Sequence, residues 1–204
     1  MTLLGSIEAG GTKFVLAVGD EHLNIVDKIQ IPTTTPAATL ATCVTYFTAH
    51  PVAALGIGSF GPIDIDQSSP TYGQVLATPK PGWAGADLVG TLKTALAVPV
   101  AFTTDVNASA YGEYIAGSGK EVDSLVYFTI GTGIGGGAIQ NGHFIGGTGH
   151  AEMGHALTTP RADDDYAGTC PFHGNHCYEG LAAGPSIQGR TGTPGQDLPR
   201  TDKV

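Results

Sequence analysis

From Leu3 the chain passes through three short runs rich in apolar residues, Leu3 to Glu8, Phe14 to Val18 and Asn24 to Ile31. Short apolar runs bounded by turn residues each predict a strand. The separating stretches, Ala9 to Lys13 and Gly19 to His22, carry turn chemistry, and together they predict an antiparallel meander. A helical spacing then begins. Thr35 followed by Pro36 is an N-cap and first-turn pair, and Leu40, Val44 and Phe47 space an apolar helical face before His50-Pro51 ends it. Cys43 falls on that face and is expected in the core. Val52 to Ile57 reads as a buried strand, residues 61–85 as a Gly/Pro loop, Asp87 to Leu96 as a helix and Val98 to Thr103 as a strand. A further helix is expected from Asp105 to about Gly117, where Gly117 to Lys120 break the pattern.

After that break the pattern starts again. Leu125 to Ile130 predicts a strand, Gly131 to Gly137 a turn, Ala138 to Gln140 a strand, and Asn141-Gly142 a hairpin. Sliding the chain by 121 residues pairs Ile7 with Phe128, Gly10 with Gly131, Ala17 with Ala138, Val18 with Ile139, Asp20 with Asn141 and His22 with His143. Two such hairpins on two lobes would face each other across a cleft. The expected organisation is therefore two α/β lobes, residues 1–119 and 120–204, with a mixed sheet in each. Glu179 to Gln188 is expected as one helix whose Leu181 and Ile187 want a covering surface.

Composition removes several classes. With 41% apolar residues, 31 glycines in 204 and only 13% charged residues, the chain is neither disordered nor a coiled coil. Nine Lys and Arg against 18 Asp and Glu give a net charge of −9, which repels phosphate backbones, so nucleic acid is not an expected partner. No stretch approaches the roughly 18 apolar residues of a membrane span, and no basic flank marks a signal peptide. The reading is a cytoplasmic protein without a membrane partner.

Three places carry candidate chemistry. The turn Gly10, Gly11, Thr12, Lys13 lies between strands, where glycines let backbone N–H groups approach an anion and Thr12 adds a hydroxyl; alone, such a turn also serves as a plain hairpin. Gly131, Thr132 and Gly133, followed by Gly135 to Gly137, repeat it, and two equivalent turns point to phosphate binding. Asp105 begins a helix at the end of a strand, so it serves either as an N-cap or as a carboxylate facing the crevice where open α/β sheets bind ligands. Asp87 and Asp163 to Asp165 have no such setting and are expected to be solvated. Cys170, His173 and Cys177, spaced C-x2-H-x3-C with His150, Glu152, His155 and His176 nearby, have the ligand mix of tetrahedral zinc. Spacing leaves open which of His150, His155 and His176 completes the set, and a Cys170–Cys177 disulfide and plain surface-loop residues are the other readings.

The segments IEAGGTKFVLAVG, TDVNASAYGE, TIGTGIGGG, HAEMGH and CPFHGNHCYEGLAAGPSI, in that order, resemble the ROK sugar kinases, and most of all their zinc-containing fructokinases. The resemblance implies the two-lobed actin-like ATPase (ribonuclease H-like) fold, with ATP and Mg2+ between the two Gly-rich turns and a sugar in the cleft. It implies that Asp105 is the catalytic base, that Asn107, Glu152, His155 and Glu179 bind substrate, and that His155, Cys170, His173 and Cys177 hold structural zinc. Thr104, where glucose-specific members place Asn, favours fructose; glucokinase, N-acylmannosamine kinase and a non-catalytic sugar-binding protein are the alternatives. Glu8 stands where the wider superfamily has Asp and is compatible with a magnesium-bound water. Members that act as repressors carry a helix-turn-helix before the first turn, and few residues precede it here, so DNA regulation is not expected. Members continue past the final residues through an adenosine-binding segment and form homodimers. The second lobe is accordingly expected to be truncated and the chain alone to be a poor kinase.

Overall fold

The structure is a computed structural model, and it describes residues 2–199. Strands β1 (Leu3–Ala9), β2 (Lys13–Asp20) and β3 (Ile25–Pro32) form the meander; helix α1 (Pro36–Ala49) then leads to β4 (Ala54–Ser59), and α2 (Leu88–Leu96) to β5 (Val100–Thr104). The sheet order is β3-β2-β1-β4-β5: β1 is antiparallel to β2 and parallel to β4, which is parallel to β5. Thr35 caps α1 through Ala38 N–H, and Pro36 occupies its first turn.

The buried face of this sheet supplies Ile7, Phe14, Leu16, Val18, Leu55 and Ile57; α1 adds Leu40, Cys43 and Phe47, and α2 adds Leu88 and Leu92. Residues 61–85 are more than a loop. Ile63, Val75 and Trp83 in that stretch are buried, Ile63 bridges to Val75, and Trp83 packs on Phe14 and Phe60 while its indole N–H donates to Thr34 O at 2.9 Å. Each such large apolar side chain contributes about 1.5–3 kcal/mol by leaving water. The indole bond removes the cost of burying its polar atom.

Helix α3 (Asp105–Ala116) follows β5 directly and joins the two halves, packing on β4 and β5 and also on β6 (Ser124–Ile130) and β7 (Ile134–Gln140). With β8 (His143–Phe144), β6 and β7 form a three-stranded antiparallel sheet. Leu3–Ala9 and Lys13 onward map onto Ser124–Ile130 and Ile134 onward under the 121-residue shift, so the two hairpins share strand bounds and turn length.

Four sequence expectations change. β7 begins at Ile134, and Gly135 to Gly137 belong to it and not to a phosphate turn. Their missing side chains admit neighbours: a Cβ at Gly135 would lie 2.8 Å from Val106 Cγ1, one at Gly136 2.6 Å from Met153 Sδ, and one at Gly137 would collide with Val106 O. The expected Glu179–Gln188 helix is two, α4 (Tyr178–Ala182) and α5 (Gly184–Thr191), broken at Ala183 with Pro185 in the first turn of α5. Asp87 is not simply solvated, since it caps α2 by accepting from Gly90 N–H at 2.7 Å. Asp163 and Asp165 are solvated as expected, Asp163 pairing with Arg161 at the surface, but Asp164 takes both guanidinium nitrogens of Arg190 at 2.8 and 2.7 Å, tying α5 to the loop before it. Among the described residues no helix is long and apolar enough to cross a membrane.

Candidate active site and metal centre

A cleft of about 660 Å3 opens where the start of α3 meets the β6–β7 turn, and its walls include Asp105, Asn107, Gly131 to Gly133, His150, Glu152, His155 and Glu179. Asp105 is the first residue of α3, but the cap is Thr104, whose hydroxyl accepts from Asn107 N–H at 3.2 Å. Capping therefore does not occupy Asp105. One of its oxygens accepts from Val106 N–H at 2.9 Å; the other takes no protein hydrogen bond among the described residues. Burial holds this carboxyl above the ordinary carboxylate value; the Val106 bond and His150 pull it down, and Glu8 pushes it up. A carboxylate so raised is a stronger base when ionised. Asn107 is buried, and its side-chain amide donates to Thr103 Oγ1 at 3.3 Å.

Glu152 opens a short 3-10 turn, Met153–His155, with φ 42° and ψ 45°. A non-glycine residue in that region is strained by about 1–3 kcal/mol, a feature concentrated at functional sites. Glu152 is exposed on the cleft wall, and its carbonyl accepts from His155 N–H.

His155, Cys170, His173 and Cys177 offer ligand atoms that all lie within 4.8 Å of one another. Cys170 Sγ is 3.6 Å from Nδ1 of both His155 and His173, and Cys177 Sγ is 4.0 Å from His155 Nδ1. Tetrahedral zinc, with bonds of about 2.3 Å to sulfur and about 2.0 Å to nitrogen, places such ligand atoms roughly 3.6 Å apart, so the donor set and its spacing fit that metal. Both cysteines are free thiols, not a disulfide. Cys177 also caps α4, its Sγ accepting from Gly180 N–H at 3.3 Å. His176 is exposed and His150 is turned elsewhere, so among the three open candidates His155 is the one gathered with the cysteines.

Glu179 links this cluster to the second glycine turn. Its Oε2 accepts from Ile134 N–H at 2.9 Å and its Oε1 lies 3.8 Å from His155 Nε2. The helix break adds a second brace, Gly184 N–H donating to Gly131 O at 2.7 Å. The first turn is placed differently. Gly11, Thr12 and Lys13 are exposed and, with Gly10, lie outside the walls of this cleft, although Phe60 N–H bonds Ala9 O just before them. The braces from Glu179 and Gly184 and the contact of His150 with the first lobe carry no sequence signal, because each joins residues far apart in the chain.

A two-lobed α/β fold with a carboxylate at a strand's end, a glycine turn opposite it and a cleft between them defines an actin-like phosphotransferase architecture. The sequence matches the ROK family over residues 4–203, and the chain belongs to that family. It is 57% identical over 201 residues to a fructokinase of Lactococcus lactis subsp. cremoris, covering 98% of this chain and 68% of that one. A fructokinase of Streptococcus mutans is 56% identical over 207 residues, covering 99% of this chain and 70% of that one. Among solved structures, a ROK family glucokinase from Streptomyces griseus in complex with glucose and AMPPNP aligns with TM-score 0.71 at 30% identity. The alignment covers 91% of this chain and 58% of the glucokinase.

Proposed function

We propose that this chain carries the sugar site and part of the nucleotide site of an ATP-dependent hexokinase that converts fructose to fructose 6-phosphate. The observation that carries it is the meeting of Asp105, Glu152, His155, Glu179 and the Gly131–Gly133 turn in one cleft, on a chain more than half identical to fructokinases. Asp105 takes the proton from the attacking sugar hydroxyl, and its raised basicity suits that step. Glu152 and Glu179 accept from sugar hydroxyls, His155 Nε2–H donates to a sugar oxygen, and together they hold the ring against Asp105. Backbone N–H groups of Thr132 and Gly133 donate to phosphate oxygens, and the Gly10–Lys13 turn receives the part of the nucleotide that extends beyond the cleft. Because phosphoryl transfer is mainly positioning and charge stabilisation, bracing of the second turn through Glu179 and Gly184 belongs to the machinery.

His155, Cys170, His173 and Cys177 would hold zinc, and the metal would tie the 170–177 loop to the sugar segment and so keep Glu179 beside the turn. Magnesium, when bound with ATP, neutralises phosphate charge, and Glu8 is the residue of the first turn region that would orient its water. Fructose as substrate rests on the fructokinase relatives. Thr104 lies in the cleft wall, and while its oxygen caps α3 its hydroxyl proton stays available to a ligand, in keeping with the preference expected of it. Sugar-dependent ADP release over a hexose panel tests the reading; ADP release no faster with sugar than without would remove it.

A further inference from the structure

His150 lies in the segment between β8 and Met153, where residues 145–149 are all exposed and the backbone bonds are Ile145 N–H to Ala138 O and Gly149 N–H to Gly146 O. From there its Nε2 crosses to the first lobe and sits 3.0 Å from both the N and the O of Ile63, 87 residues away. Either neutral tautomer makes one of these bonds. Ile63 N–H has no other acceptor among the described residues, so the proton sits on Nδ1 and Nε2 accepts from Ile63 N–H; the opposite tautomer would donate to the Ile63 carbonyl and leave that N–H unpaired. Ile63 is 1% exposed and bridged to Val75, so the ring holds a residue anchored in the first lobe's core. Gly61 makes the room: a Cβ there would lie 2.7 Å from His150 Cε1. The same ring lines the cleft beside Asp105, two residues before Glu152.

We propose that His150 is a positioning residue that pins the segment bearing Glu152 and His155 to the first lobe's 60–63 loop. It thereby sets the span across which Glu152 and Asp105 engage one sugar. The inference rests on the sugar-kinase reading above. Glu152 sits in a strained backbone conformation on an exposed, glycine-rich stretch, and such a residue keeps its place only where neighbours hold it. The His150–Ile63 bond is a hold that reaches across the cleft, and the room left by Gly61 shows both sides shaped for it.

The test compares wild type, His150→Ala, His150→Gln, Gly61→Ala and the Gly61→Ala/His150→Ala double variant in the protein as its gene encodes it. His150→Ala is expected to lower kcat/KM for fructose about tenfold to a hundredfold, the cost of misplacing a substrate by about an ångström, with little change in KM for ATP. Glutamine, which offers both a donor and an acceptor, is expected to recover part of the loss. Gly61→Ala displaces the ring and reproduces the loss, yet adds little once the ring is gone. Amide exchange at Ile63 should quicken in His150→Ala. Fructose kcat/KM in His150→Ala within about twofold of wild type, or losses in the two single variants that multiply in the double, would overturn the proposal. Unchanged exchange at Ile63 would overturn it as well. A wild type without sugar-dependent ADP release contradicts the kinase reading instead, and Ile63 exchange then decides the contact by itself.

Discussion

Replacing Asp105 by Asn removes the negative charge and proton affinity of this side chain while leaving its shape. Loss of a general base costs about 10²–10⁴ in kcat, or roughly 3–5 kcal/mol of barrier. The fold should be indifferent. Thr104, not Asp105, caps α3, and an Asn oxygen accepts from Val106 N–H as the carboxylate does. Losing an anion from the first helical turn costs about 0.3–1 kcal/mol, but the charge is itself disfavoured by burial, so the two effects oppose. Tm should therefore move by no more than about 3 °C in a chain of this size. The sign with pH follows from the raised carboxyl. The folded state holds its proton to higher pH than the unfolded chain, so the contribution of Asp105 to stability falls as pH rises from the ordinary 3.8 through the raised value. Activity runs the other way, decreasing as pH is lowered through that raised value, because the base must be ionised. Steady-state kinetics of ADP release with thermal melts checks both halves. A kcat within a few-fold of wild type would show that Asp105 is not the base, and a large drop in Tm would show that it holds the helix.

Metal analysis of protein purified without chelators should find about one zinc per chain, and Cys170→Ser or Cys177→Ser should lose it, with Tm lower by about 5 °C or more. Thiol titration at pH 8 gives a parallel count. Cys43 is fully buried and its thiol is pushed up to about 12 by burial, so it should stay unreactive until unfolding, while chelation exposes Cys170 and Cys177 to reagent. Glu179→Ala leaves Ile134 N–H without its acceptor and should raise KM for both sugar and ATP about tenfold, whereas Glu179→Gln, which can still accept there, should retain most of the ATP affinity. Gly137→Ala drives a methyl into the Val106 carbonyl, which backbone cannot easily yield, and should destabilise the fold by about 1–3 kcal/mol in denaturant melts.

The β1–β2 hairpin and α1 were legible because their signals are local: short apolar runs parted by the Ala9 to Lys13 turn, and Thr35-Pro36 ahead of Leu40, Val44 and Phe47. The metal cluster was partly legible for the same reason, since Cys170, His173 and Cys177 lie within one short loop, while the choice of His155 depends on the tertiary approach of the 152–155 turn. The start of β7 was hidden because a run of glycines has no hydrophobic period; its meaning lies in the close approach of α3. Trp83 and Val75 sit in a Gly/Pro-rich stretch without periodicity, and only the packing reveals them as core. Asp105 and Thr104 are both competent caps by residue type, and the hydroxyl's bond to Asn107 N–H, visible only in three dimensions, divides their roles. Glu179 lay in the resemblance as a sugar ligand, but its bond to Ile134 spans 45 residues and has no sequence trace.

ADP release from ATP and Mg2+ over fructose, glucose, mannose and N-acetylmannosamine, with the protein as its gene encodes it, bears most directly on the assignment. Fructose is expected to give the highest kcat/KM, with turnover in the range of about 1–100 per second and fructose 6-phosphate as product. A preference for glucose or N-acetylmannosamine would contradict the substrate, and ADP release indifferent to every sugar would contradict the kinase.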